Sequence, residues 1–541
     1  MSFFNRLARQ LCLATTFSAV AAGLVACGGN DSSQPAQTSA QSDTVAKATC
    51  GNDDRAETGL QGQIPMAERA AGFKGFNCNL KVVSAGTSSR GEALWEQFAL
   101  VHDKSGHTCG YAGGAFLSNP GTTVMDLTNP AAIVETAVLK TAAMLNPGEG
   151  LRVHEGRGLL VTAFYNKTTP WEEPGAPGFD VYDVGTDCRH PQVLASSTNI
   201  RFSTAGIEQD PTKNWPAQDL TYGHEGAISA DGLTYYIGDT VHGAYHAIDI
   251  SDPTAPKLIS TFQNPSIGPR PADNPTLPRS PLGGAHGLSV SDDGNRGYMV
   301  LLSWDPTTPG GMVPQAADAP WQNGYMTVDT SEIQARKPNA RMRFISAVST
   351  RDASAAQTSI PVKINGHRFQ IAMNEGGAGQ LSTGGVKSAC SAGVTPYGTV
   401  QFFDMSDETH PSRVNKIVLE ANDPKNCGAM PEIASIEGFV YDVHMCSVDN
   451  RDDATTLACG YFQSGVRVYD IRDPAHIKEI AYFNPPALAG KQPGQCAAYP
   501  ILDIKTGLLF SRCSDTGIFA LKFTNNVWPL RGSSTPVDKQ L

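Results

Sequence analysis

The stretch Ala247-Ile248-Asp249-Ile250-Ser251-Asp252-Pro253 decides the fold, because its pattern recurs along most of the chain. It consists of β-prone residues, an aspartate, an apolar residue and a turn built on Asp-Pro. Consecutive aspartates of this kind lie 57 to 80 positions apart, and the other members are Asp126, Asp183, Asp329, Asp404 and Asp470. A unit repeated at such intervals is the sequence signature of a repeat architecture.

Each copy of the pattern is flanked by further strand signals. Residues 227–237 form apolar and aromatic runs around an Asp-Gly turn, and residues 288–300 do the same. One more β-prone run, such as residues 257–262, follows the aspartate. Asp-Gly turns between such runs are strong hairpin signals. Four strands per repeat predict an all-β fold, a single β-propeller.

The two ends of the repeat region predict how the ring closes. The run at residues 518–523 lies where a seventh unit should be, but it lacks both the aspartate and a fourth strand. A β-prone segment at about residues 80–86 has no local partner. We expect this N-terminal strand to complete the last blade, since closure removes an exposed sheet edge. Seven four-stranded blades follow, with six or eight as the alternatives.

The repeated units resemble the LVIVD repeat of exported bacterial and archaeal propeller proteins. The resemblance covers roughly residues 93–523, is weaker at 327–330 and is incomplete in the last unit. It implies a propeller that works outside the cytoplasm.

The N-terminus has the layout of a secretory signal. Arg6 and Arg9 precede an uncharged run over residues 11–26, which is followed by Cys27. The segment resembles the bacterial lipobox, which implies a lipid on Cys27 and a place at the outer membrane, on its periplasmic or outer side. We therefore divide the chain into a signal peptide (1–26), lipidated Cys27 with a flexible tether (27–74), the propeller (75–530) and a tail (531–541).

The charge balance restricts the partners. The net charge is -11, and charged residues make up only 17% of the chain. An acidic surface argues against nucleic acid, and against an anionic membrane as a surface-wide partner. We expect membrane contact through the N-terminal lipid only.

Ten cysteines remain when Cys12 and Cys27 are set aside, and an even number in an exported chain predicts disulfide bonds. The sequence cannot fix their pairing. Closeness along the chain favours four candidate pairs: Cys446–Cys459, Cys496–Cys513, Cys390–Cys427 and Cys50–Cys78.

Long insertions are predicted to crowd one rim of the propeller. In this topology the second-to-third connection of a blade shares a face with the connection to the next blade. The insertions at those places cover residues 166–178, 199–222, 263–284, 303–322, 376–396 and 420–438, and four of the tryptophans within them are Trp171, Trp215, Trp304 and Trp321. Loops on a rigid scaffold are typical binding elements. A protein or carbohydrate ligand is expected there.

Three inner strands begin with histidine at the same rim: His224, His286 and His444. Each lies four residues before a β-branched residue and points to the same side of its strand. Three convergent imidazoles with an open position could hold one Cu, Fe or Zn ion at the channel mouth. Glu225 would then be a residue that supports a ligand instead of binding the metal. Alternatively, the histidines are structural and bond to nearby backbone.

Aligning the hairpin turns places Thr358 and Tyr499 at the corresponding positions of units five and seven. The repeat aspartates are expected to be structural, each accepting backbone N–H groups in its own turn. Three functional hypotheses stand at this point. The first is a cell-envelope protein that binds a partner through its rim. The second is a metal-dependent oxidoreductase or hydrolase, and the third is a structural role in surface assembly.

Overall fold

A computed structural model of the chain describes residues 44–89, 97–113, 120–165, 178–196, 223–239, 244–263, 285–302, 323–350, 352–378, 383–436 and 438–530. These residues form seven antiparallel sheets arranged as a ring, a seven-bladed β-propeller. The predicted all-β fold and the blade count are confirmed.

The first four blades are consecutive along the chain, and each has four strands. Blade 1 contains β3 (Gln97–His102), β4 (Thr108–Gly113), β5 (Thr122–Asp126) and β6 (Val134–Leu139). Blade 2 contains β7 (Arg152–His154), β8 (Leu159–Ala163), β9 (Phe179–Asp183) and β10 (Gln192–Ala195). Blade 3 contains β11 (Gly226–Ile228), β12 (Thr234–Asp239), β13 (Ala244–Asp249) and β14 (Lys257–Gln263). Blade 4 contains β15 (Leu288–Val290), β16 (Arg296–Leu302), β17 (Asn323–Asp329) and β18 (Arg343–Ser349).

The last three blades complete the ring, and two of them include strands from the N-terminal segment. Blade 5 contains β19 (Ala353–Ile364), β20 (His367–Gly377), β21 (Val400–Asp404) and β22 (Ser412–Ile417). Blade 6 contains β23 (Val443–Val448), β24 (Thr456–Tyr461), β25 (Gly465–Asp470) and β26 (Lys478–Asn484), with β1 (Phe76–Cys78) as a fifth strand. Blade 7 contains β27 (Ile501–Asp503), β28 (Leu508–Cys513), β29 (Gly517–Phe523) and, outermost, β2 (Leu80–Gly86).

The hydrophobic core is divided among the seven interfaces between neighbouring blades. One cluster joins blades 1 and 2 through residues such as Tyr111 and Leu160, and another joins blades 7 and 1 through Phe510 and Phe98. The other five neighbouring pairs have equivalent clusters. The first strand of each blade contacts the first strand of its neighbours around most of the axis. The starts of these inner strands are therefore brought together.

The N-terminal strand closes the ring as predicted. Strand β2 pairs antiparallel with β29, from Leu80 opposite Phe523 to Gly86 opposite Ile518. Because the first described strands of the chain complete blades built from its last ones, the propeller is locked by non-local pairing.

The repeat aspartates stabilise the turn that follows the third strand of each blade. In blades 1 to 6 one carboxylate oxygen accepts the backbone N–H of the residue two positions ahead, at 2.8–3.1 Å. The prediction of a structural role is confirmed, since each carboxylate is satisfied within its own turn.

The predicted flexible tether over 27–74 is wrong for residues 44–74. Val45 donates its N–H to the Val418 carbonyl at 2.9 Å, and Ala46 forms a parallel bridge with Lys478. Helix α1 (Met66–Ala70) precedes β1, and Ile64 is fully buried. The composition of this segment suggested a linker, but its few apolar residues pack on blade 6. Residues 27–43, including Cys27, lie outside the described part of the chain.

Two short helices interrupt the strands: α2 (Ser331–Gln334) and α3 (Thr383–Ala392). Three 3-10 turns between Glu420 and Ala434 pack with α3 around Met430 and Tyr441. Helix α3 and the three 3-10 turns belong to the rim insertions at 376–396 and 420–438. Among the described helices, none is long and apolar enough to span a membrane.

The predicted use of disulfide bonds is confirmed. The structure joins the four candidate pairs named above, Cys50–Cys78, Cys390–Cys427, Cys446–Cys459 and Cys496–Cys513. It adds a bond from Cys109 in β4 to Cys188 in the loop after β9, with a sequence separation of 79. This bond fastens blade 1 to blade 2, and nothing local in the sequence pointed to it.

Candidate metal centre

The three histidines singled out in the sequence lie together on the propeller axis. His224 and His286 each lie two residues before a strand, β11 and β15, and His444 lies in β23. Their exposed fractions are 8%, 5% and 1%, respectively. The ring centroids of His224 and His286 are 3.9 Å apart. Three different blades thus bring imidazoles to one buried place.

Two glutamates that the sequence argument missed lie among these imidazoles. The Nε2 atom of His444 is 3.0 Å from Glu149 Oε1 and 3.4 Å from Glu375 Oε2. The second Glu149 oxygen is 3.4 Å from His224 Nε2, and the second Glu375 oxygen is 3.6 Å from His286 Nε2. Each carboxylate therefore lies between two imidazoles.

Four of these five side chains occupy one equivalent position, in blades 2, 3, 4 and 6. In each blade the repeat aspartate pairs with a residue of the second strand, and that residue pairs in turn with a residue of the inner strand. Each of the four side chains lies five positions before this inner-strand residue. Counting back from His154, Ser229, Ser291, Val362 and Asp449 reaches Glu149, His224, His286, Gln357 and His444 in blades 2 to 6. Glu375 is the exception, because it lies in β20, the second strand of blade 5.

The structure corrects the alignment made from the hairpin turns. The position equivalent to the histidines is Gln357 in blade 5 and Ala498 in blade 7, each one residue before the Thr358 and Tyr499 that were predicted. In blade 5 a register shift between Ala356 and Thr358 disturbs the count. A search for histidines alone could not find Glu149. A search of the equivalent position in every repeat could have found it.

Backbone carbonyls orient two of the three imidazoles. His286 Nδ1 is 3.2 Å from the Gln357 carbonyl oxygen, and His444 Nδ1 is 2.7 Å from that of Ala497. A carbonyl can only accept, so each Nδ1 carries the hydrogen. The Nε2 atoms then face the carboxylates, which is the arrangement of metal-binding histidines held by outer hydrogen bonds.

Close packing of the backbone makes this orientation specific. A Cβ at Gly287 would lie 2.0 Å from the Gln357 carbonyl oxygen and 2.1 Å from a Glu225 carboxylate oxygen. Only glycine allows the strand that carries His286 to approach blade 5 this closely.

The charges within the centre shift the pKa values of its groups in opposite directions. Burial alone would raise the pKa of Glu149, but the imidazoles of His444 and His224 lower it well below its usual range. Burial favours the neutral form of His444, yet the two carboxylates raise its pKa well above the ordinary value. Burial and the neighbouring His224 lower the pKa of His286 to about 3. Without a metal, the centre is thus built around a Glu149–His444 ion pair.

A second layer of polar side chains supports the centre. The Gln357 amide donates to Glu149 Oε2 at 2.6 Å, and Arg152 donates to the Glu149 backbone carbonyl at 3.0 Å. Arg152 also donates to Glu225 at 2.9 Å, and Tyr499 donates to the same oxygen at 2.7 Å. One carboxylate oxygen of Glu225 thus accepts from both Arg152 and Tyr499. Its predicted role behind His224 is indirect, through the arginine that holds Glu149.

The distances suit a single transition-metal ion. Ligand atoms about 2.1 Å from a metal, at angles between octahedral and tetrahedral, lie roughly 3.0–3.4 Å from one another. The four contacts between imidazole and carboxylate span 3.0–3.6 Å. Ligand atoms of Glu149, His224 and His286 all lie within 4.8 Å of one another. Imidazoles mixed with carboxylates suit Zn or Fe.

The two ends of the axial channel differ. Aromatic rings pack beside the centre: Tyr165 lies 4.7 Å from His224, and Phe462 lies 5.1 Å from His444, measured between ring centroids. On its other side the inner strands enclose a cavity of about 50 Å³. Arg451 closes that cavity by donating to the backbone carbonyls of Val290 and Pro361.

Five predicted site residues have no structural placement. Cys27, Trp171, Trp215, Trp304 and Trp321 all lie outside the described residues. Glu225 is placed, but as part of the Arg152 network described above.

Comparisons with known proteins do not identify an activity for this chain. No family model matches the chain, and no curated protein matches it. Among solved structures, a protein from Lactobacillus plantarum shares 11% identity over 73% of this chain and 85% of its own, with a TM-score of 0.43. The periplasmic gluconolactonase of Pseudomonas aeruginosa shares 11% identity over 79% and 94%, with a TM-score of 0.43. Hydrazine synthase from Kuenenia stuttgartiensis shares 11% over 81% and 98%, with a TM-score of 0.44. Likeness at this level says nothing about activity.

Proposed function

We propose that the protein is a metal-dependent enzyme of the bacterial cell envelope, with one Fe or Zn ion on the propeller axis. The observation that supports this best is the convergence of three imidazoles and two carboxylates in one buried place. A purely structural cluster would pair each acceptor with a donor. Here His286 uses its Nδ1 hydrogen on the Gln357 carbonyl, so its Nε2 lone pair faces a Glu375 oxygen at 3.6 Å, and a cation satisfies both.

The chemistry expected of such a site is oxidation or hydrolysis of a small molecule. Protein ligands that leave one coordination position open let a metal polarise a substrate oxygen or activate a water molecule. His224, His286 and His444 would hold the ion through Nε2, with Glu149 and Glu375 completing the set. Arg152 and Gln357 would hold Glu149 in place. Substrate would enter from the rim, since Arg451 closes the other end.

We also propose that the protein works outside the cytoplasm. Five disulfide bonds favour an oxidising compartment. We infer export, a lipid on Cys27 and membership of the LVIVD-type propellers from the sequence patterns. In this arrangement the propeller is held at the outer membrane with its catalytic rim free.

The competing proposal is a protein that binds a protein or carbohydrate through its rim and uses the axial residues only for stability. Metal analysis separates the two. We expect about one Fe or Zn per chain in protein purified from the periplasm without chelators. His286→Ala should lose the metal and still fold.

The matched control is His246→Ala in blade 3. The His246 side chain is also largely buried and pairs with Asp239 at 3.1 Å, but it lies in the third strand, away from the axis. It should keep the metal. A wild-type protein without stoichiometric metal, or equal metal content in both variants, would contradict the enzyme proposal and leave rim binding.

A further inference from the structure

Gln357 occupies the ligand position of blade 5 but carries an amide in place of an imidazole or carboxylate. Its backbone carbonyl orients His286 at 3.2 Å, and its side-chain nitrogen donates to Glu149 Oε2 at 2.6 Å. The side chain is fully buried, with 0% exposed. One residue thus touches two of the metal ligands.

The amide oxygen of Gln357 differs from its nitrogen, because it has no hydrogen-bond partner within the described part of the chain. The nitrogen contacts Glu149 and, more weakly, the Met445 sulfur at 3.9 Å. Since the two atoms of an amide are roughly 2.3 Å apart, the oxygen lies within about 5 Å of Glu149 Oε2. A buried acceptor without a donor is costly, and such groups usually meet a ligand or water.

We propose that Gln357 Oε1 receives the molecule bound at the open coordination position of the metal. This rests on the proposed function. The nitrogen is committed to the Glu149 carboxylate, which fixes the orientation of the amide and presents its oxygen as an acceptor. The site therefore selects ligands that carry an O–H or N–H group, such as water, an alcohol or an amine. Ligands that can only accept gain nothing from this residue.

The test compares two probes on the Co-substituted protein, whose visible spectrum reports ligand binding. Hydroxylamine carries donor hydrogens, and azide carries none. Gln357→Met keeps the length of the side chain and removes the carbonyl. We expect its hydroxylamine affinity to fall about tenfold, the value of one hydrogen bond, and its azide affinity to change less than about twofold.

The matched control is Gln370→Met in the same blade. Gln370 is also buried and donates to Ser359 Oγ at 3.0 Å, but it contacts none of the proposed ligands. The affinities of this variant for hydroxylamine and azide should both equal those of the wild-type protein. Equal weakening of both probes in Gln357→Met, no weakening at all, or loss of the metal would overturn the inference. Wild-type protein that binds no metal would instead contradict the proposed function, so the two failures are distinguishable.

Discussion

Two buried groups of charged side chains differ in how their hydrogen-bonding needs are met. In blade 6 the fully buried Arg467 lies between the carboxylates of Glu57 and Glu479, and Gln61 donates to Glu479 at 2.9 Å. Every carboxylate there faces a donor of the protein itself. On the axis, Glu149 and Glu375 face imidazoles, and two of those rings already use their Nδ1 hydrogen elsewhere. The carboxylates of the first group are paired with a cation of the protein, Arg467, whereas those of the second are suited to a bound cation.

The same distinction separates the two periodic positions of the repeat. The aspartates that end the third strands are identical in six blades, and each bonds to its own turn. The position at the start of the inner strands varies between Glu, His, Gln and Ala and faces the axis. An invariant repeat residue with a local partner serves the fold. A varied polar residue at one buried position indicates a function that the ring assembles.

The largest effect is expected from breaking the blade 6 group. Arg467→Ala leaves two buried carboxylates without their cation, so the free energy of unfolding should fall by about 3–5 kcal/mol. Urea unfolding measures it. Arg472→Ala, at a half-exposed arginine paired with Asp470, should cost less than about 1 kcal/mol. Bound metal per folded chain should not change in either variant. A small effect of Arg467→Ala would mean that this group is not structural.

Removing an axial carboxylate should weaken metal binding more than it weakens the fold. Glu149→Ala deletes a group that touches His224 and His444, so metal affinity should fall at least about 100-fold. Competition with a chromophoric chelator measures this. Glu155→Ala, a nearby glutamate paired with Lys505 at the surface, is the control and should keep full affinity. Equal affinity in both variants would remove Glu149 from the centre.

A repeat aspartate should matter moderately and only for stability. Asp404→Ala removes the acceptor of the Ser406 N–H at 2.8 Å, and we expect about 1 kcal/mol of lost stability. Asp404→Asn keeps an oxygen acceptor and should recover most of it. Chemical denaturation of the two variants, with metal analysis alongside, checks this. A loss of metal in Asp404→Ala would contradict the account, in which the aspartate position serves the fold and only the axial position binds the metal.

The smallest effect is a pH dependence in the blade 6 group. Burial raises the pKa of Glu57 to about 7, against the opposing attraction of Arg467, and the Glu479 carboxylate raises it further. Between its usual range and pH 7 the unfolded chain releases this proton while the folded chain keeps it, so stability falls as pH rises. Glu57→Gln removes this titration. Its unfolding free energy relative to wild type should therefore rise from pH 5 to pH 7 and level off above.

A constant difference between Glu57→Gln and wild type across this range would contradict the raised pKa. Other titrating groups are common to both proteins and cancel in the comparison.

Much of the fold could be predicted because the repeat is local. The Asp249 pattern and its hairpins depend on neighbours in sequence, and β2 was recognisable as a strand without a local partner. Residues 44–74 and the Cys109–Cys188 bond could not be predicted, since each depends on a surface formed by distant parts of the chain.

The candidate site could be predicted in part for a similar reason. His224, His286 and His444 share one place in the repeat, and topology brings that place to the axis. Glu149 shares it too but is a different residue type. Glu375 could not be found this way, because it reaches the axis from the second strand of an unusually long hairpin, β19 and β20.

The most direct test of the central claim is a crystal structure of the protein purified without chelators, with anomalous diffraction recorded on both sides of the Fe and Zn absorption edges. We predict one anomalous peak about 2.1 Å from the Nε2 atoms of His224, His286 and His444 and beside a Glu149 oxygen. An axis without such a peak, with the imidazoles bonded only to the two carboxylates, would contradict a metal centre.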